Sequence, residues 1–186
     1  MLNHHNIQSA RYTFDNNTTD VIATMADGTT RFRRSDDDEG NGGMLAFLAG
    51  GGVIEPYVAP AVTGSDVNAE RDRRISGGFI FGGSEFQSDA GSRENISGAQ
   101  GLSLGAMIAD PQGNSGLRWA DPDVDFTWTS QANVEVPMTA AQCQAFCQAA
   151  MQYKTELIKV ARTLKDQNPI PQDYANDSYW PSRTLD

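Results

Sequence analysis

Cys143 and Cys147 stand four positions apart in a chain of 186 residues and are its two cysteines. On a helix that spacing puts both thiols on one face, where they could ligate zinc if two further ligands came near. The two histidines, His4 and His5, lie far away in the polar start of the chain. The cysteines fall on an apolar stripe, so they read as buried thiols that pack a core. The acidic run Asp36-Asp37-Asp38-Glu39 invites comparison with a calcium loop, which wants oxygen ligands at alternate positions and a glutamate at the twelfth. Counted from Asp36, the fifth position is Gly40 and the twelfth is Phe47, so a solvated acidic turn is the better reading. Asp121, Asp123 and Asp125 also alternate, but Phe126 stands where a calcium loop needs glycine. Gly82-Gly83-Ser84 lacks the lysine and the spacing of a phosphate-binding loop, and no Gly-x-Ser-x-Gly elbow occurs. No metal or cofactor is expected. The most suggestive residues are Tyr174, Tyr179, Trp180 and Pro181, because aromatic side chains are enriched where proteins meet partners.

These side chains need elements to hold them. Residues 1–10 are polar and read as an arm. Arg11 to Phe14 and Val21 to Met25 alternate apolar and polar residues, and Asp27-Gly28 signals a type I′ turn into a return strand from Thr29 to Arg33. Met44 to Ala49 is a short helix, stopped by three glycines, and Val53 to Pro60 is an extended exit. Residues 61–66 read as a linker. Val67 to Ile75 has the composition of a short charged helix. Phe79 to Phe81 and Ser84 to Gln87 flank a glycine turn. Ser88 reads as the cap of a helix that runs to about Ile108. That helix carries Gly91, Gly98, Gly101 and Gly105. Each glycine costs about 1 kcal/mol against alanine, a cost expected where another element packs closely. Val124 to Thr129 and Asn133 to Val136 form a further hairpin. Thr139 and Gln142 make a capping box for the clearest helix, with Cys143, Phe146, Cys147, Ala150, Lys154, Leu157, Ala161 and Leu164 on its inner stripe. Only the aliphatic stem of Lys154 suits that stripe.

The formal charge is −10, from 24 acidic and 14 basic residues, which disfavours nucleic acid as a partner. The apolar runs are too short to span a bilayer, no targeting signal is visible, and synthesis in a cytoplasm is expected. The architecture expected is α+β. A hairpin-and-helix lobe with its exit spans residues 1–64, hairpins packed on two or three helices span 65–166, and an aromatic arm spans 167–186.

The segment from about Arg71 to Asp166 resembles a phage-tail domain family of unknown function, usually met at the end of tail-fibre-like proteins. The likeness rests on Arg71-Asp72-Arg73-Arg74, Gly77-Gly78-Phe79, Phe86-Gln87-Ser88-Asp89, Arg93-Glu94-Asn95-Ile96, Arg118-Trp119, Phe126-Thr127-Trp128, Val136-Pro137-Met138 and Ala161-Arg162-Thr163-Leu164-Lys165-Asp166. The first sixty residues are similar to a lobe of small phage tail proteins, through Asp27-Gly28, Asp36, Met44 to Ala49 and Gly52 to Pro56. Gly42-Gly43-Met44 replaces the asparagine and aromatic usual there. The resemblance implies a virion or prophage tail context and supplies no catalytic residue. The expectation is a non-enzymatic structural protein of a phage tail that attaches, completes or decorates a fibre or baseplate. Its expected partners are other tail proteins and further copies of itself. Tyr174, Tyr179, Trp180 and Pro181 are expected to dock on a neighbouring subunit. The rivals are an assembly chaperone absent from the finished particle and, less favoured, a hydrolase of host glycans.

Overall fold

The computed structural model describes residues 7–15, 17–36 and 43–185. His4, His5 and Asp37 to Glu39 lie outside them, and with them the acidic-turn reading. The chain divides into two compact units, Met1–Pro60 and Ala61–Asp186. The architecture is α+β, as the patterns imply. No helix among the described residues is long and apolar enough to cross a membrane.

In the first unit, strands β1 (Ile7–Tyr12), β2 (Asp20–Met25), β3 (Thr30–Arg34) and β4 (Ile54–Glu55) form a sheet in the order β3-β2-β1-β4. β1 therefore takes up Ile7 to Ala10, which the sequence reading leaves in an arm. The alternation of β2 turns Val21, Ala23 and Met25 inward, and Met44 of helix α1 (Met44–Ala49) joins them in a small core. The turn between β2 and β3 is not type I′. That type needs positive φ at both central residues, and of the Asp27-Gly28 pair only Gly28 has it, at 82°. Asp27 instead uses Oδ1 to accept bonds from the Thr29 amide (2.9 Å) and hydroxyl (2.7 Å).

In the second unit, helix α2 runs Gly64–Ser76 and begins inside the expected linker. Thr63 caps it. The Thr63 amide donates to Asp66 Oδ2 (2.8 Å) and Thr63 Oγ1 accepts from the Asp66 amide (3.4 Å). β5 (Phe79–Phe81) and β6 (Ser84–Phe86) form a hairpin whose turn, Gly82-Gly83, does have two positive φ angles. Helix α3 is Ala90–Ala109, and its cap is Asp89, not Ser88. Asp89 Oδ1 accepts from the Ser92 amide at 3.0 Å, while Ser88 is buried. β7 (Thr127–Thr129) and β8 (Glu135–Pro137) make the third hairpin. Helix α4 is Ala140–Lys165, opened by the Thr139–Gln142 box. Strand β9 (Thr184–Leu185) pairs in parallel with β5, so the segment after α4 returns to the unit's sheet.

α4 carries the core. Phe146 lies 4.8 Å from the Phe86 ring centroid, 5.4 Å from Phe79 and 4.9 Å from Trp128. The inner stripe continues through Ala150, Tyr153, Leu157, Ala161 and Leu164. Tyr153, not Lys154, holds the middle position, because a 3.6-residue turn takes the buried face from 150 through 153 to 157. Cys143 and Cys147 are both buried and free, and Cys147 Sγ donates to the Ile96 carbonyl at 3.3 Å. The hydrogen bond with Cys143, together with burial, pushes the Cys147 thiol far up from its ordinary value. Replacing both cysteines with valine is expected to cost about 1–3 kcal/mol in urea denaturation while leaving the fold intact. Stoichiometric zinc in the purified protein would contradict this account of the pair.

Candidate functional site

The aromatic segment after α4 folds back on its own unit. Trp180 is 6% exposed. Its Nε1 donates to the Tyr174 carbonyl (2.8 Å), and the Arg74 guanidinium lies 5.0 Å from its ring centroid. Tyr174 and Tyr179 are half-buried against the same core, and the Tyr179 hydroxyl donates to Asp173 at 3.1 Å. The structure thus gathers the four residues singled out from sequence into one region. The surface that covers the Trp180 ring in this structure is the chain's own. An indole whose N–H finds an internal carbonyl needs no outside partner to satisfy it.

A cavity of about 450 Å³ opens beside this segment. It is bordered by Arg73 and Arg74 at the end of α2, Tyr153 of α4, and Asp177, Pro181 and Arg183 of the returning chain. Each arginine is held by a carboxylate. Arg73 and Arg74 both bind Glu70, through Arg73 Nη2 at 2.6 Å and Arg74 Nε at 2.7 Å, and together they hold the Glu70 carboxyl below its usual range. Arg74 Nη2 also reaches the Ala175 carbonyl (2.8 Å) and Asp177 (2.7 Å), and Arg183 pairs with Glu85. Tyr153 is 5% exposed. Burial raises its phenol, against the pull of Arg74, Arg183 and Arg73.

Sequence reasoning named Trp180 and Pro181 of this region but missed Tyr153 and the arginines. The Arg73-Arg74 pair was visible as part of a basic cluster. Nothing local announces that Arg183 returns to it. The alternating aspartates do not form a ligand set. Asp125 pairs with Arg118 at 3.0 Å, and Asp121 Oδ1 accepts from the Asp123 amide at 2.8 Å. Among the described residues no three His, Cys, Asp or Glu side chains cluster as metal ligands would.

A second surface lies on α3. Its buried side is marked by Ile96 and Ser103, the latter bonded to Gln144 of α4 at 2.9 Å. The glycines are elsewhere. Gly98, Gly101 and Gly105 face outward, where an added Cβ would meet nothing within 4 Å. Among the described residues, nothing makes the close approach expected at these glycines. They form a shallow stripe between exposed Leu102 on one side and exposed Leu104 and Ile108 on the other, and Ile108 is 72% exposed. From Asn95 to Ala109 the helix carries no charged residue.

No curated protein matches this chain, and no solved structure matches it. A family described as "Domain of unknown function (DUF4376)" matches residues 58–178, a stretch that includes α2 to α4 and the start of the aromatic segment. That match spans more than half of the sequence, and the chain belongs to the DUF4376 family.

Proposed function

We propose that the chain is a structural, non-enzymatic component of a bacteriophage tail, attaching, completing or decorating a fibre or baseplate through protein–protein contacts. The observation that carries this reading is the outer face of α3. A solvated helix gains nothing from three outward glycines, each costing about 1 kcal/mol against alanine. It gains nothing either from leaving Leu102, Leu104 and Ile108 exposed beside them. Both features make sense on a face that a neighbour covers, since glycine lets a backbone approach and exposed apolar patches mark contact sites. The uncharged stretch places no like charges opposite one another at such a contact. The tail context comes from the resemblance across Arg71 to Asp166. The neighbour is a further copy or another tail protein. Mass spectrometry of purified particles from the phage that encodes the chain tests the reading. The protein is expected at a fixed copy number. Its presence in the lysate but absence from particles would favour an assembly chaperone.

A further inference from the structure

We infer that the cavity between α2, α4 and the returning C-terminal segment binds a compact oxyanion, a carboxylate or phosphate group, through Tyr153, Arg73 and Arg183. The inference stands apart from the tail reading and uses a different surface. Three observations carry it. Tyr153, a residue 95% buried by its own fold, borders the cavity, and its hydroxyl makes no hydrogen bond to any described residue. That hydroxyl is not among the desolvated polar atoms, so a ligand acceptor at the cavity would take the place of water there. Second, the arginines have donors to spare. Arg73 spends Nε and Nη2 on Glu70, Arg74 spends Nε on Glu70 and Nη2 on Ala175 and Asp177, and Arg183 spends Nη2 on Glu85. Nη1 of all three, and Nε of Arg183, make no hydrogen bond to the described residues. Carboxylates thus hold the guanidiniums in place while leaving N–H groups unused, the arrangement in which arginine binds oxyanions well.

Third, three guanidiniums border the cavity; Asp177 is the one carboxylate at its edge, while Glu70 and Glu85 pair with the arginines without bordering it, so the gathering is of donors rather than of net charge. Asp177 is already held by Arg74 and is almost fully exposed, so solvent screens its repulsion of an anion. The volume falls in the range of small-ligand pockets and admits a group larger than a bare ion.

The test titrates the full chain with sodium phosphate and, separately, with sodium acetate at constant ionic strength. The readout is the NMR shift of the Gly77 and Gly78 amides and of the arginine Nε–H signals. Saturable shifts with at least one probe are expected, and the probe that saturates tells which oxyanion geometry the pocket prefers. Tyr153→Phe keeps the buried ring, and Arg183→Gln alters a half-exposed side chain. Each is expected to weaken binding about tenfold, the scale of one hydrogen bond to a charged group. Arg118→Gln, outside the pocket, should leave binding unchanged. Shifts that stay linear for both probes in the unaltered chain would overturn the inference, whatever the variants do. Binding that Tyr153→Phe and Arg183→Gln leave intact, or that Arg118→Gln weakens as much, would overturn it too.

Discussion

Replacing Trp180 with alanine is expected to cost the second unit about 3–5 kcal/mol, the range for a large aromatic removed from a core. The ring is 6% exposed, its N–H is spent on the Tyr174 carbonyl, and Arg74 lies over its face. Alanine would leave the Tyr174 carbonyl without its donor and the Arg74 guanidinium without its aromatic cover. Urea denaturation of the isolated chain gives the number. A ring held by another subunit would predict almost no change in the isolated chain, so the measurement separates the two arrangements. By the same argument, deleting residues 170–186 should destabilise the unit. Loss of strand β9 and of Trp180 opens the edge of β5 and the aromatic core behind it.

The second large effect is a divergence between stability and assembly. Changing Gly98, Gly101 and Gly105 together to alanine is expected to raise stability by about 2–3 kcal/mol. Each position is helical, exposed and open to a methyl group, and alanine is the better helix former. If the outer face of α3 is covered by a neighbour, the same three methyl groups hold the two backbones apart, and incorporation into particles should fall at least tenfold. Thermal denaturation reads the first quantity and quantitative mass spectrometry of particles the second. A stabilised variant that assembles as well as the parent would show the face to be ordinary surface.

What could be read from sequence was what is local. The Thr139–Gln142 box and the Gly82-Gly83 hairpin are complete within a few residues, and the structure has both where the pattern puts them. The start of α2 escaped because its box closes with Asp66, a shorter acid than the glutamate or glutamine usually sought, so Thr63 to Asp66 passed for a linker. Lys154 was placed on the inner stripe because a four-residue step from Ala150 reaches it, whereas the three-residue step reaches Tyr153. That one-residue slip hid Tyr153, the buried tyrosine that borders the arginines. The glycines of α3 were expected where another element packs closely, but Gly98, Gly101 and Gly105 meet open space among the described residues, because spacing alone does not say which way a helix turns. The place of Trp180 was not legible at all, since it depends on a two-residue parallel pairing between distant strands.

That pairing sets a timetable for folding. Glu85 and Arg183, joined across the finished sheet, are 98 positions apart in the chain. At roughly 5–20 residues per second on a ribosome, the β5–β6 hairpin waits on the order of 5–20 seconds for its last strand. The hairpins of the first unit need only their immediate neighbours and can close within microseconds of emerging. The two units therefore mature at different times. In the interval β5 presents an unpaired edge, with the aromatic core still uncovered beside it. A neighbouring nascent chain can offer its own β9 to that edge, so dense polysomes are where strand exchange between copies would arise.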